Sequence, residues 1–95
     1  MVLHLVLFRF KADAKSQLDE AVLRVQSMVG RVEVIRDLKV GKDFLHSGRS
    51  FNLGLAATLE DRHALEVYDS HPDHLPVKQF LGPLIEQSVS VDLDY

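Results

Sequence analysis

Tyr68, His71 and His74 fall in one short run, Tyr68-Asp69-Ser70-His71-Pro72-Asp73-His74, and another histidine, His4, stands near the start of the chain. Imidazole titrates near neutral pH, so such a group can move protons or hold a metal. A neutral His74 can take a proton from a carbon acid beside a carbonyl. Tyr68 can donate a hydrogen bond to the oxygen that gains charge as that proton leaves. The two flank Pro72, which ends or kinks a helix. A broken helix can aim both side chains into one pocket, whereas an unbroken one turns them to different faces. The structural alternative has His74 capping the second helical segment and Tyr68 in the core with its hydroxyl at the edge.

The neighbouring polar residues read more plainly. His71 precedes a proline and is expected to serve the free carbonyls of a helix C-terminus. His4 lies on an apolar strand face. It is either a core residue satisfied by one hydrogen bond or a pocket wall that binds a substrate oxygen. His71 and His74 share a face only in a continuous helix, and no acid is fixed by spacing as a third ligand, so no metal is expected. Asp69, Asp73, Asp92 and Asp94 read as solvated or rim residues. The loop Gly41–Arg49 carries two glycines, but their spacing matches no phosphate-binding fingerprint.

The elements that must hold these groups follow from periodicity. Val2 to Phe10 reads as a strand with Val2, His4, Val6, Phe8 and Phe10 on one face and Leu3, Leu5 and Leu7 on the other. Both faces are apolar, so both need cover, and one helical layer supplies only one. Ser16-Gln17-Leu18-Asp19 resembles a weak capping box. Leu18, Ala21, Val22, Val25, Met28 and Val29 then recur at helical spacing up to Gly30. Val32 to Lys42 reads as a second strand, and Phe51 to Leu59 as a third whose second face carries Gly54, Ala56 and Thr58. Glu60-Asp61 opens a helix that ends at Pro72, a further helix carries Val77, Phe80 and Leu81, and Val89 to Tyr95 alternates as a final strand. The order β-α-β-β-α-β is the split βαβ of ferredoxin-like α+β domains, with a four-stranded antiparallel sheet and helices on one face. The doubly apolar first strand points to a second sheet from a partner subunit. Val6, Phe8, Leu55 and Phe80 are expected to line an apolar pocket between sheet and helices, with Tyr68 and His74 at its mouth.

Bulk properties narrow the classes. The 95 residues make one domain, residues 1–95, with 46% apolar side chains. There is no cysteine, hence no thiol nucleophile or iron–sulfur cluster. The net charge is −3 and no basic stripe is present, so nucleic acid is not an expected partner. No apolar run approaches the ~20 residues of a membrane span, and the opening residues lack a basic leader. The expectation is a cytoplasmic protein.

Several segments together resemble one family. His4-Leu5-Val6-Leu7-Phe8-Arg9-Phe10-Lys11, Val40-Gly41-Lys42-Asp43, Tyr68 with His71-Pro72-Asp73-His74, and Val89–Tyr95 are similar, in order and spacing, to the stress-responsive α/β-barrel (Dabb) family. The resemblance implies a ferredoxin-like fold and a homodimer whose two sheets form a barrel. A plant polyketide cyclase of this family closes its substrate by intramolecular aldol condensation. Its catalytic tyrosine and histidine align with Tyr68 and His74, and its first-strand histidine with His4. A further pocket histidine of that enzyme falls at Leu53 here. Two functions are therefore in view. One is a cofactor-free enzyme acting on a small, mostly apolar carbonyl or polyketide-like compound through His74 and Tyr68. The other is a non-catalytic, stress-related structural or small-ligand-binding dimer. A haem or flavin monooxygenase-like role has no cofactor motif behind it.

Overall fold

A computed structural model describes all of residues 1–95. Strand β1 (Val2–Phe10) is followed by a 3-10 turn over Ala12–Gln17 and helix α1 (Leu18–Gln26). Strands β2 (Ile35–Lys42) and β3 (Leu53–Leu59), helices α2 (Arg62–Asp69) and α3 (Leu75–Leu81), and strand β4 (Ile85–Asp94) complete the chain. The antiparallel sheet has the order β2-β3-β1-β4. The α+β, ferredoxin-like architecture expected from the order of elements is thus present.

The core lies between one sheet face and the helices. Val2, Val6 and Phe10 of β1 meet Leu53, Leu55, Ala57 and Leu59 of β3 there, against Ala21, Val25 and Met28 below and Tyr68, Val77 and Leu81 beyond. β3 alternates strictly between buried and half-buried positions, as a strand with one covered face must. Asp61 caps α2 by accepting a hydrogen bond from the Ala64 amide at 2.8 Å, a contact worth about 1 kcal/mol.

Some boundaries differ from those read in the sequence. Ser16 does not cap α1. The 3-10 turn runs straight into the helix, and its carbonyls, such as Lys15 O for the Leu18 amide, already take the first helical donors. The second strand starts at Ile35 rather than Val32, because the Val32 amide still bonds back to Met28 O at 2.9 Å. That turn passes through Gly30, whose φ of 85° lies in the left-handed region.

β4 is oriented in a way its polarity did not suggest. Pairing places Asp92 opposite His4, Ser90 opposite Val6 and Ser88 opposite Phe8. The polar side of β4 therefore faces the helices. Its apolar side, Val89, Val91 and Leu93, continues Leu3, Leu5 and Leu7 across the open face of the sheet. Leu7, Val89, Val91 and Leu93 remain 40–48% exposed there. β3 adds only Gly54, Ala56 and Thr58 to this face.

Candidate active site

Between the sheet and the helices lies a cavity of about 350 Å³, within the roughly 300–1,000 Å³ range of small-molecule sites. Val6, Phe8 and Leu55 form its sheet wall, and Val25, Met28, Val77 and Leu81 its helical wall. Its polar groups are His4, Tyr68, Asp69, His74, Lys78, Ser88 and Ser90. Of the residues singled out in the sequence, His4, Val6, Phe8, Leu55, Tyr68 and His74 are brought together here. Phe80 is not among the lining residues. It sits on another side of α3, where the Arg24 guanidinium stacks 4.2 Å over its ring, so its place in the pocket is corrected.

The break at Pro72 sets the geometry of the polar end. α2 stops at Asp69, leaving its last carbonyls without helical partners. His74 folds back under them and its Nδ1–H donates to Tyr68 O at 2.9 Å and Asp69 O at 3.2 Å. Because both partners are carbonyls, Nδ1 carries the proton and Nε2 keeps its lone pair. The imidazole stacks on the Tyr68 ring, with centroids 4.2 Å apart and planes 23° apart. His74 thus does for α2 what the sequence assigned to His71. His71 instead places Nε2 3.1 Å from Glu33 and accepts the Asp73 amide at Nδ1. Glu33 is held below the usual carboxylate range by its own backbone amide and by His71. The structural alternative for His74 has it capping α3, but its side chain makes no capping bond there.

Tyr68 is not at the mouth. Only 1% of its surface is exposed, so it forms an inner wall. Its hydroxyl bonds to no protein atom and is not sealed off either, which leaves it facing the cavity. Burial, with some help from the Asp69 carboxylate, pushes the phenol up to about 12. Tyr68 is therefore a hydrogen-bond donor at neutral pH and not a base. His74 moves the other way. Burial lowers it below 6.5, the nearby Lys78 ammonium adds to that, and the two carbonyl bonds and Asp69 oppose it. The result is a neutral imidazole beside a neutral phenol.

The more exposed rim is formed by Asp69 and Lys78. The Lys78 ammonium donates to Asp69 O at 2.7 Å and to Asp69 Oδ1 at 3.0 Å, tying α3 to the end of α2 across the Pro72 turn. The pairing lowers the Asp69 carboxyl. His4 is reached from the sheet side. Its ring meets the Tyr68 ring edge-on at 5.5 Å, and its Nδ1–H donates to the Asp92 carboxylate.

Lys78, Ser88 and Ser90 were not anticipated here, nor was any role for Asp69 and Asp92 beyond that of solvated or rim residues. The signal for three of them was present: Ser88, Ser90 and Asp92 share one face of β4, and the ferredoxin-like order places β4 beside β1. Only the register puts Asp92 against His4, so Asp92 stays exposed at the rim, as read from the sequence, and is in addition the partner of a cavity histidine. No three histidine or carboxylate side chains converge as a metal-binding group. His71 is directed to Glu33 rather than into the cavity with His4 and His74.

The fold is shared with several solved structures. A dimeric protein of unknown function and ferredoxin-like fold from Bacteroides fragilis superposes with a TM-score of 0.88 at 22% identity, over 99% of this chain and 95% of that one. A Dabb family protein from Mesorhizobium loti gives 0.83 at 17% identity, over 99% and 95%. A hydroxynitrile lyase from Passiflora edulis gives 0.83 at 18% identity, over 97% and 90%. At these identities the likeness is one of fold. A comparison with curated proteins finds no match. The model of the stress responsive A/B barrel domain, Dabb, matches residues 2–95, and the chain belongs to that family.

Proposed function

We propose that the chain is a homodimer in which each cavity carries out cofactor-free proton transfer on a small, mostly apolar carbonyl compound. The observation that carries this is the fixed tautomer of His74. Its Nδ1–H is held by the end of α2, which leaves Nε2 as the basic atom beside the buried Tyr68 phenol. His74 Nε2 takes a proton from the carbon next to the carbonyl. The Tyr68 hydroxyl hydrogen-bonds the oxygen on which the enolate charge develops, which is where such donors act most strongly. The imidazolium then returns a proton to the enolate, so no electrons are gained or lost. The apolar walls of Val6, Phe8 and Leu55 hold the rest of the molecule and exclude water. His4, whose Nδ1–H is engaged by Asp92, accepts a hydrogen bond at Nε2 from a substrate hydroxyl on the sheet side.

The dimer reading rests on the open face. Leu3, Leu5, Leu7, Val89, Val91 and Leu93 form one apolar surface that a monomer would leave in water. A second copy stacked sheet on sheet would cover it, and stable interfaces bury about 1,200–2,000 Å² in total. The Bacteroides fragilis protein of the same fold is described as dimeric.

The test is deuterium exchange at the α-carbon, which reports enolisation without knowledge of the natural substrate. Benzoylacetone, acetophenone and phenylacetaldehyde would be followed by proton NMR in D2O. Mandelonitrile joins the panel because one structural relative is a hydroxynitrile lyase, with benzaldehyde release as its readout. Catalysed exchange that His74→Gln abolishes is the expected result. Binding to the cavity with no exchange or cleavage of any probe would favour the non-catalytic, ligand-binding dimer instead.

A further inference from the structure

The His4–Asp92 pair is a second unit with the features of a proton-transfer group. Asp92 stands directly opposite His4 across the antiparallel β1–β4 ladder, the spacing at which cross-strand side chains interact. The Asp92 carboxylate can only accept, so His4 is protonated at Nδ1 and keeps its lone pair on Nε2. His4 lines the cavity, whereas Asp92 does not. His4 also reaches the Tyr68 ring from the sheet wall of the cavity, edge-on, while His74 stacks on that ring face to face. Two histidines of the same tautomer therefore bracket one phenol, one oriented by carbonyls and one by a carboxylate. The difference in orienting group matters. Carbonyl dipoles stabilise an imidazolium weakly, whereas a carboxylate stabilises it by full charge and fixes the ring at the same time.

We propose that Asp92 is a positioning residue that makes His4 a second acid–base group of the cavity, working with His74 on the same substrate. This rests on the proton-transfer reading given above. In the proposed step His4 Nε2 takes a proton from the substrate, the imidazolium is held by Asp92, and the same proton is returned to a substrate oxygen or carbon. No bond to the protein forms, and the charge on His4 is restored at the end. The other groups facing His4 are Tyr68 and Asp69 of α2 and, beyond them, His74; Asp69 is engaged by Lys78, which leaves Asp92 as the acid that orients the ring.

The experiment combines the imidazole tautomer with deuterium exchange. Nitrogen-15 NMR of the intact protein reads which nitrogen of His4 is protonated, independently of any reaction. The expected result is Nδ1 protonation in the unaltered chain, lost in Asp92→Ala and retained in Asp92→Asn, whose side-chain oxygen still accepts. Exchange of benzoylacetone should fall about 10- to 100-fold in Asp92→Ala, less than the ~10²–10⁴-fold supplied by a directly acting acid or base, with an altered pH profile. Asp92→Leu, similar in size and unable to accept a hydrogen bond, serves with the same expected outcomes if the alanine variant does not fold. Nε2 protonation of His4 in the unaltered chain would overturn the proposal. So would an exchange rate and pH profile in Asp92→Ala that superimpose on those of the unaltered chain while His74→Gln is inactive. If no probe exchanges at all but the tautomer depends on Asp92, the catalytic part falls with the proposed function and the positioning part stands.

Discussion

Replacing Tyr68 by Phe separates chemistry from packing at this site. The substitution removes one oxygen and leaves the ring, which stacks on His74 at 4.2 Å and is 1% exposed. A tyrosine hydroxyl with a structural role would have a partner within the protein, and its loss would cost about 0.5–1.5 kcal/mol. Here no protein atom is bonded to it, so no bond is broken. The hydroxyl is instead a polar group held away from bulk water, and burying such a group without a partner is unfavourable by about 1–3 kcal/mol. Its opening onto the cavity relieves part of that. Tyr68→Phe is therefore expected to leave stability unchanged or to raise it by up to ~1 kcal/mol, a rise of at most about 4–8 °C in Tm for a domain of this size. Over the same change, α-carbon exchange should drop about 10²–10³-fold, the loss seen when one donor to a developing oxyanion is removed. Thermal melts by circular dichroism and the NMR exchange assay on the same samples decide the matter. A Tm lowered by several degrees together with undiminished exchange would refute the reasoning, because the hydroxyl would then be holding the fold and not a substrate oxygen.

Three other outcomes are expected. His74 has a folded pKa below its ordinary 6.5, so the unfolded chain takes up its proton first as pH falls; the stabilising effect is complete above about 6.5 and is lost between there and the lowered folded value. Urea unfolding at a series of pH values should show this decline in the unaltered chain and a flatter profile in His74→Gln. Lys78→Met removes a cation that depresses His74, so the His74 titration followed by NMR should move upward; an unmoved midpoint would show that burial alone sets it. Val91→Glu puts a charge in the middle of the open apolar face and should convert the dimer to a monomer in sedimentation velocity, whereas an unaltered chain that already sediments as a monomer would remove the dimer reading.

Much of the fold could be read from the sequence because it depends on periodicity. β3 alternates so cleanly from Leu53 to Leu59 that its buried face is evident without a partner strand. Pro72 announced the break that separates α2 from α3. Tyr68 and His74 meet because the chain reverses there, and the types of residue at that break already suggested it. What was not legible depends on relationships between distant segments. Asp92 looked like one polar residue on an alternating strand, and nothing local says that His4 faces it; the contact exists only because β1 and β4 pair in one register. Phe80 looked like a pocket residue on hydrophobicity alone, yet its position on α3 turns it to Arg24. The roles of His71 and His74 were harder still. Both follow a helix end, and which one serves the free carbonyls depends on the turn between them, a matter of a few dihedral angles.

The orientation of β4 ties two properties to a single choice of register. Val89, Val91 and Leu93 lie on the open face, and Ser88, Ser90 and Asp92, one residue out of step with them, face the helices. Sliding β4 by one position along β1 would exchange the two sets. The cavity side would become greasy and His4 would lose its acid, while the outer surface would become polar and wettable. A one-residue insertion or deletion that shifts the pairing therefore has no intermediate result: the apolar outer face and the polar lining of the cavity would be forfeited in the same event, and no register of this strand preserves one without the other.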